Sequence, residues 1–206
     1  MKKFVLFAIP LLLLCSCANT QESKTSKKSE SISISSEESN ISEQTNSNSD
    51  ILVAYFSATE TTKPLAEYAA NHYECDLFRI TPVEEYARAD LNYANSDCRA
   101  LQEQANPDCR PEISNQVEDM SKYSTVILGY PIWAMKAPRI VFTFLESYSF
   151  EGKKILPFCT SGSSDISVTL DELKAAVPNA TWLEGKRFAA GTDEETFVTW
   201  LDTVIE

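Results

Sequence analysis

The stretch "SATETT", Ser57 to Thr62, places four hydroxyls within six residues. The apolar run "ILVAYF" (51–56) precedes it, and a helical pattern opens at Pro64. A strand, a hydroxyl-rich turn and a helix together make an anion cradle. N–H groups at the helix start point into the turn, and the helix dipole favours negative charge there. Ser57, Thr59, Thr61 and Thr62 add hydroxyl donors, so a phosphate needs no cation. The blander alternative is that the hydroxyls only cap the helix, but four in six positions exceed what capping needs. Glu60 sits in the middle of the turn, and its carboxylate opposes an anion. Other reactive types are sparse. His72 is the single histidine and no Cys-x-x-Cys occurs, so no metal site is expected. No acid–base pair or nucleophile stands out as a catalytic residue.

The elements that must position this turn alternate along the chain. "ILVAYF", "CDLFRI" (75–80), "STVILGY" (124–130) and "KKILPFC" (153–159) read as strands, and "ATWLEGKRF" (180–188) holds a short one. Helical patterns cover 63–73, 137–148, 167–177 and 192–205, the last opened by a capping box of Thr192 and Glu195. Pro64 suits a first helical turn, and Leu65, Ala66, Ala69 and Ala70 fall at helical spacing. Residues 81–121 are polar and proline-punctuated, with one short helix expected around 97–104. Such alternation predicts a parallel sheet with helices on both faces. Ligands of these sheets lie beyond the carboxyl ends of the strands. Three connections lie there: 57–62, 130–136 and 160–165.

Four stretches, in order, resemble one family. "AYFSATETT" resembles the phosphate loop of the flavodoxins, and "LGYPIWAMKAPRIVFTFLE" resembles their third-strand loop and helix. "LPFCTSGSS" resembles their third flavin loop, and "DLNYANSDCRALQEQANPDCRPEI" an insert common in one bacterial branch. The match covers essentially all of 51–206. The resemblance implies an α/β, flavodoxin-like, doubly wound five-stranded parallel sheet with helices on both faces, binding FMN non-covalently. It implies Ser57, Ala58, Thr59, Glu60, Thr61 and Thr62 around the phosphate. Pro131, Ile132, Trp133 and Ala134 would meet the ring, with Trp133 as a flat stacking platform; the alternative is an indole buried between helix and sheet. Thr160, Ser161, Gly162 and Ser163 would meet the pyrimidine edge through backbone groups, Gly162 using positive φ or close approach. Three positions depart from the family pattern. Glu60 replaces the usual glycine, Ala134 a second aromatic, and Ser163 a second glycine. Lys136 stands either near the reduced ring or in solvent. The implied role is electron transfer with a redox protein or a small-molecule donor or acceptor. Two alternatives stand beside it: an FMN-dependent NAD(P)H:quinone-type oxidoreductase, and a non-catalytic binding module kept on the same fold.

At the N-terminus, Lys2 and Lys3 precede an apolar run from Phe4 to Leu14. The run is too short for a bilayer span and fits the core of a secretory signal. "LCSC" resembles the bacterial lipobox. That implies a signal peptide of 1–16, a lipid on Cys17 and an extracytoplasmic, membrane-anchored place in the cell envelope. Residues 17–50 read as a serine-rich disordered linker with a root-mean-square reach of roughly 30 Å. The folded domain is then 51–206. Disulfides are permitted in that compartment. Cys98 and Cys109 flank a short polar excursion and are expected to pair, closing a loop worth about 3 kcal/mol. Cys75 begins one strand and Cys159 ends another, so these two are expected not to pair. A net charge of −12 offers no basic patch and argues against nucleic acid as a partner.

Overall fold

The computed structural model describes residues 49–205. The signal peptide, Cys17 and nearly all of the linker lie outside them. Six strands and five α-helices alternate: β1 (Ile51–Tyr55), α1 (Lys63–His72), β2 (Asp76–Arg79), α2 (Arg99–Ala105), β3 (Thr125–Pro131), α3 (Arg139–Glu146), β4 (Lys154–Thr160), α4 (Ser167–Ala176), β5 (Thr181–Trp182), β6 (Lys186–Phe188) and α5 (Glu194–Val204). The sheet is parallel throughout, in the order β2-β1-β3-β4-β5, with β6 also on β4.

Side chains alternate along β1. Val53 and Tyr55 face α1 and α5 in one apolar cluster, while Leu52, Ala54 and Phe56 share the other with α3. Both faces are thus covered, as the unbroken apolar runs of the strands require. The four residues at helical spacing in α1 are its buried face. Gly129 on β3 is fixed by close approach: a Cβ there would stand 2.2 Å from the ring of Phe158, its register partner on β4.

Three local features differ from the sequence reading. The 180–188 stretch is two strands rather than one. β5 pairs with Lys154 and Ile155, and β6 with Phe158 to Thr160. Pro157 lies on the same side of β4 as Ile155, whose carbonyl accepts from Leu183 N–H at 2.9 Å. Pro157 has no N–H to give, so the ladder breaks there. Helix α5 is capped by Asp193, which accepts from Thr196 N–H at 2.8 Å, not by the Thr192 box. The Thr192 hydroxyl bonds Ala189 O instead, where Gly191 (φ 77°) turns the chain.

The third difference concerns the cysteines. Cys98 and Cys109 are free thiols, so the expected disulfide is corrected. Cys98 is the N-cap of α2 and Asn106 its C-cap, and Cys109 N–H is tied back to Asn106 O at 3.1 Å. Helix α2 stands between the two cysteines, and neither sulfur is bonded to the other. Cys75 and Cys159 are also free, and both are buried.

Candidate functional site

Strands β1, β3 and β4 are neighbours, so the connections that follow them meet at one rim of the sheet. Direct bonds tie the three together. The Thr62 and Thr160 hydroxyls are 2.8 Å apart and buried. Ile132 N–H donates to Thr160 O at 3.0 Å. Ser164 Oγ donates to Met135 Sδ at 3.1 Å.

The 57–62 turn is built as an anion nest. Thr62 is the N-cap of α1, yet its hydroxyl makes no capping bond, so capping does not account for the hydroxyls. Ser57 Oγ accepts from Thr62 N–H at 3.1 Å and closes the turn. The Thr59 and Thr61 hydroxyls pair at 3.0 Å on the exposed side. The N–H groups of Ala58, Thr59, Glu60, Thr61 and Lys63 find no acceptor among the described residues. Glu60 adopts the left-handed conformation, φ 57°, at the position where the resemblance expected glycine. Consecutive N–H groups around such a residue form a concave anion site.

The Glu60 carboxylate is neutralised by its neighbours. Arg79 Nη2 lies 2.9 Å from Oε1, and Lys63 Nζ 3.4 Å from Oε2. Arg79 also donates to Ser57 O at 3.3 Å, tying β2 to the turn. Sequence reasoning missed Arg79 because its proximity comes from sheet pairing, Tyr55 with Arg79, rather than from spacing along the chain.

The second loop departs from expectation. Trp133 is only 6% exposed. Its ring packs edge-to-face with Phe56 at 5.3 Å and Tyr86 at 5.0 Å. It packs with the core, which is the buried-indole alternative. Trp133 and Lys136 exchange backbone bonds of 2.9 and 3.0 Å around Ala134 (φ 48°) and Met135 (φ 66°). That is a tight turn with two left-handed residues, a conformation glycine or asparagine usually supplies. The turn throws Met135 outward, 56% exposed, toward Ser164. Met135 was not singled out as a site residue, and the only sequence signal was its place after the missing aromatic. Lys136 donates to Gln104 O at 3.2 Å, which settles its position beside α2.

The third loop is held from beneath. Arg187 on β6 donates to Ser161 O at 2.9 Å and Gly162 O at 2.7 Å. Ser161 Oγ accepts from Ser164 N–H at 2.9 Å and Ser163 N–H at 3.3 Å. Of the two expected uses of Gly162, positive φ is not adopted, and its Cα faces open space, which leaves room for close approach. Burial pushes the Cys159 thiol, just before this loop, up to about 12. It also pushes the Tyr55 phenol, ending β1 under the first loop, up to about 12. Neither group ionises near neutrality, so the rim's charge comes from side chains such as Glu60, Arg79, Lys63, Lys136, Asp165 and Arg187.

The family model described as Flavodoxin matches residues 50–204. Solved structures agree. A protein of Bacteroides eggerthii, provisionally designated a flavoprotein, is 42% identical with a TM-score of 0.71, over 76% of this chain and 98% of its own. One of Bacteroides uniformis with the same designation is 37% identical with a TM-score of 0.71, over 75% and 98%. A Lactobacillus acidophilus flavoprotein solved in complex with FMN shares the fold at 21% identity and a TM-score of 0.58, over 73% and 97%. No curated protein matches the chain.

Proposed function

The chain belongs to the flavodoxin family, and from that premise we propose that it binds FMN and carries electrons between redox partners. The observation behind this reading is the nest: five N–H groups without acceptors among the described residues, at the start of α1, beside two exposed hydroxyls. Such a group fits a phosphate, and a related fold is known in complex with FMN. FMN supplies reversible electron transfer when bound. The chain's own residues bind and orient. The 57–62 backbone and hydroxyls take the phosphate. Thr160 ties the phosphate loop to the third loop, so the two ends of the ligand are held by one hydrogen-bonded unit. Arg187 fixes the Ser161 and Gly162 carbonyls that border the open space above Gly162. Met135 supplies the exposed thioether between the second and third loops.

The place of action is part of the same reading: a lipid on Cys17 and a linker of 17–50 tether the domain to the outer side of a bacterial membrane. Replacing Cys17 by Ala should abolish fatty-acid labelling; unchanged labelling sinks the anchor. The cofactor reading is tested by titrating the apoprotein with FMN and with riboflavin, following flavin fluorescence. FMN should bind markedly tighter, because only FMN brings a phosphate to the nest. Equal affinity, or no binding of either, overturns the reading.

A further inference from the structure

A cleft of about 680 Å3 opens beside the phosphate loop, lined by Ala58 and Thr59 on one wall. Tyr86, Arg88, Leu91 and Asn92, from the excursion after β2, form the other. In the sheet β2 and β3 flank β1 on opposite sides. The excursion leaves β2, whereas 131–134 and 160–163 follow β3 and β4. Tyr86 packs on Trp133 at 5.0 Å, so the cleft abuts the second loop, yet the flavin reading uses none of its five excursion residues, Tyr86, Arg88, Ala89, Leu91 and Asn92.

We propose that this cleft is a second binding site, for an organic anion that carries a carboxylate or sulfonate on a planar apolar body. Its volume suits a small organic molecule and exceeds what a lone oxyanion fills. Its one charged lining residue is Arg88, which is exposed and enters no ion pair among the described residues. Two acids of the excursion accept hydrogen bonds within it. Asp90 Oδ2 accepts from Ala87 N–H at 2.8 Å. Glu103 takes Tyr86 Oη and Arg99 Nε, each at 2.7 Å. Asn92 Oδ1 accepts from Ala94 N–H at 3.2 Å, leaving its amide N–H groups to donate. The Arg88 guanidinium and the Asn92 amide N–H groups thus remain to donate to a ligand. Ala58, Leu91 and the Tyr86 ring supply apolar wall. In a chain of net charge −12, a cleft with a cation and no lining acid selects anions.

The test uses 2-naphthoate and its neutral counterpart 2-naphthalenemethanol, titrated by calorimetry into the protein with and without FMN. Naphthoate should bind once per chain in both forms. The alcohol should bind about tenfold more weakly, and Arg88→Gln should weaken naphthoate by about tenfold or more, the loss of a charge-assisted hydrogen bond. Arg88→Lys should keep most of the affinity, and Arg88→Gln should leave FMN affinity unchanged. Naphthoate binding to a protein that takes up no FMN still supports the cleft and counts only against the flavin reading. Absence of naphthoate binding at millimolar concentration by folded protein overturns the proposal. So does unchanged affinity in Arg88→Gln, or competition between naphthoate and FMN, which would make the cleft part of the flavin site.

Discussion

Glu60 carries two penalties for a phosphate loop: a left-handed backbone on a residue with a Cβ, and a negative charge among the N–H donors. The first costs roughly 1–2 kcal/mol. The second is offset by Arg79 and Lys63, which hold the carboxylate at 2.9 and 3.4 Å. Removing Arg79 while keeping Glu60 exposes the repulsion. Arg79→Gln should weaken FMN by about two- to fivefold, the roughly 0.3–1 kcal/mol that a charge is worth at a helix N-terminus. Riboflavin should hardly change. Adding Glu60→Gly to that variant should restore FMN affinity, and added salt should shrink both effects. If Arg79→Gln affects FMN and riboflavin alike, the pair shapes the loop and does not tune its charge. The hydroxyls and their turn were legible in the sequence because they are contiguous. The neutralising Arg79 was not, because it arrives by pairing of β1 with β2.

At the scale of elements, the strands and helices were legible from periodicity, while their interruptions depended on single backbone groups. Pro157 breaks the edge ladder because one donor is missing, a signal present in "KKILPFC" that periodicity does not read. The excursion between β2 and β3 is stitched down by side chains far apart in sequence. Arg110 Nε and Nη2 each lie 2.7 Å from the Glu146 carboxylate on α3. Hydrogen bonding to Arg110 holds the Glu146 carboxyl below the usual carboxylate range. Its stabilisation is therefore complete above the unfolded carboxylate pKa and disappears as pH falls through the lower folded value. Half exposed, the pair should contribute about 0.5 kcal/mol. Glu146→Gln should lower stability by that much near pH 7 and by less at about pH 2, as the native carboxyl takes up its proton. Denaturant melts at both pH values check this. The helix between Cys98 and Cys109 gives a second expectation. Burial pushes the Cys75 and Cys159 thiols up to about 12; it raises Cys109 too, but Cys109 is half-buried and open to reagent. Iodoacetamide at pH 8 should label Cys109 in the native state, and Cys75 and Cys159 only after unfolding. A non-reduced peptide linking Cys98 to Cys109 would contradict the structure.

For the whole molecule, the sheet joins distant segments into one cooperative unit, so a ligand at the rim should be felt throughout. Thr62, Ile132 and Thr160 come from three connections and meet through two hydrogen bonds, of 2.8 and 3.0 Å. Each connection follows a different central strand, and unfolding any of those strands dismantles the site. The parallel sheet with helices on both faces could be anticipated from strand–helix alternation, and its order β2-β1-β3-β4-β5 fits the flavodoxin resemblance. The choice between an open and a buried Trp133 could not be made, because it depends on Phe56 from β1 and Tyr86 from the excursion closing on the indole together. A ligand that binds only the assembled rim stabilises the whole domain by mass action. At a hundred times its Kd, FMN should add about 2.7 kcal/mol. For a domain spanning residues 50–204 that raises Tm by roughly 5–10 °C. Riboflavin at the same concentration, lacking the phosphate, should fall well short of that shift. Scanning calorimetry of the apoprotein with each flavin reads both. Equal shifts would place the binding energy in the ring and remove the phosphate nest from the explanation, whereas a single FMN-shifted transition ties the nest to the stability of the entire sheet.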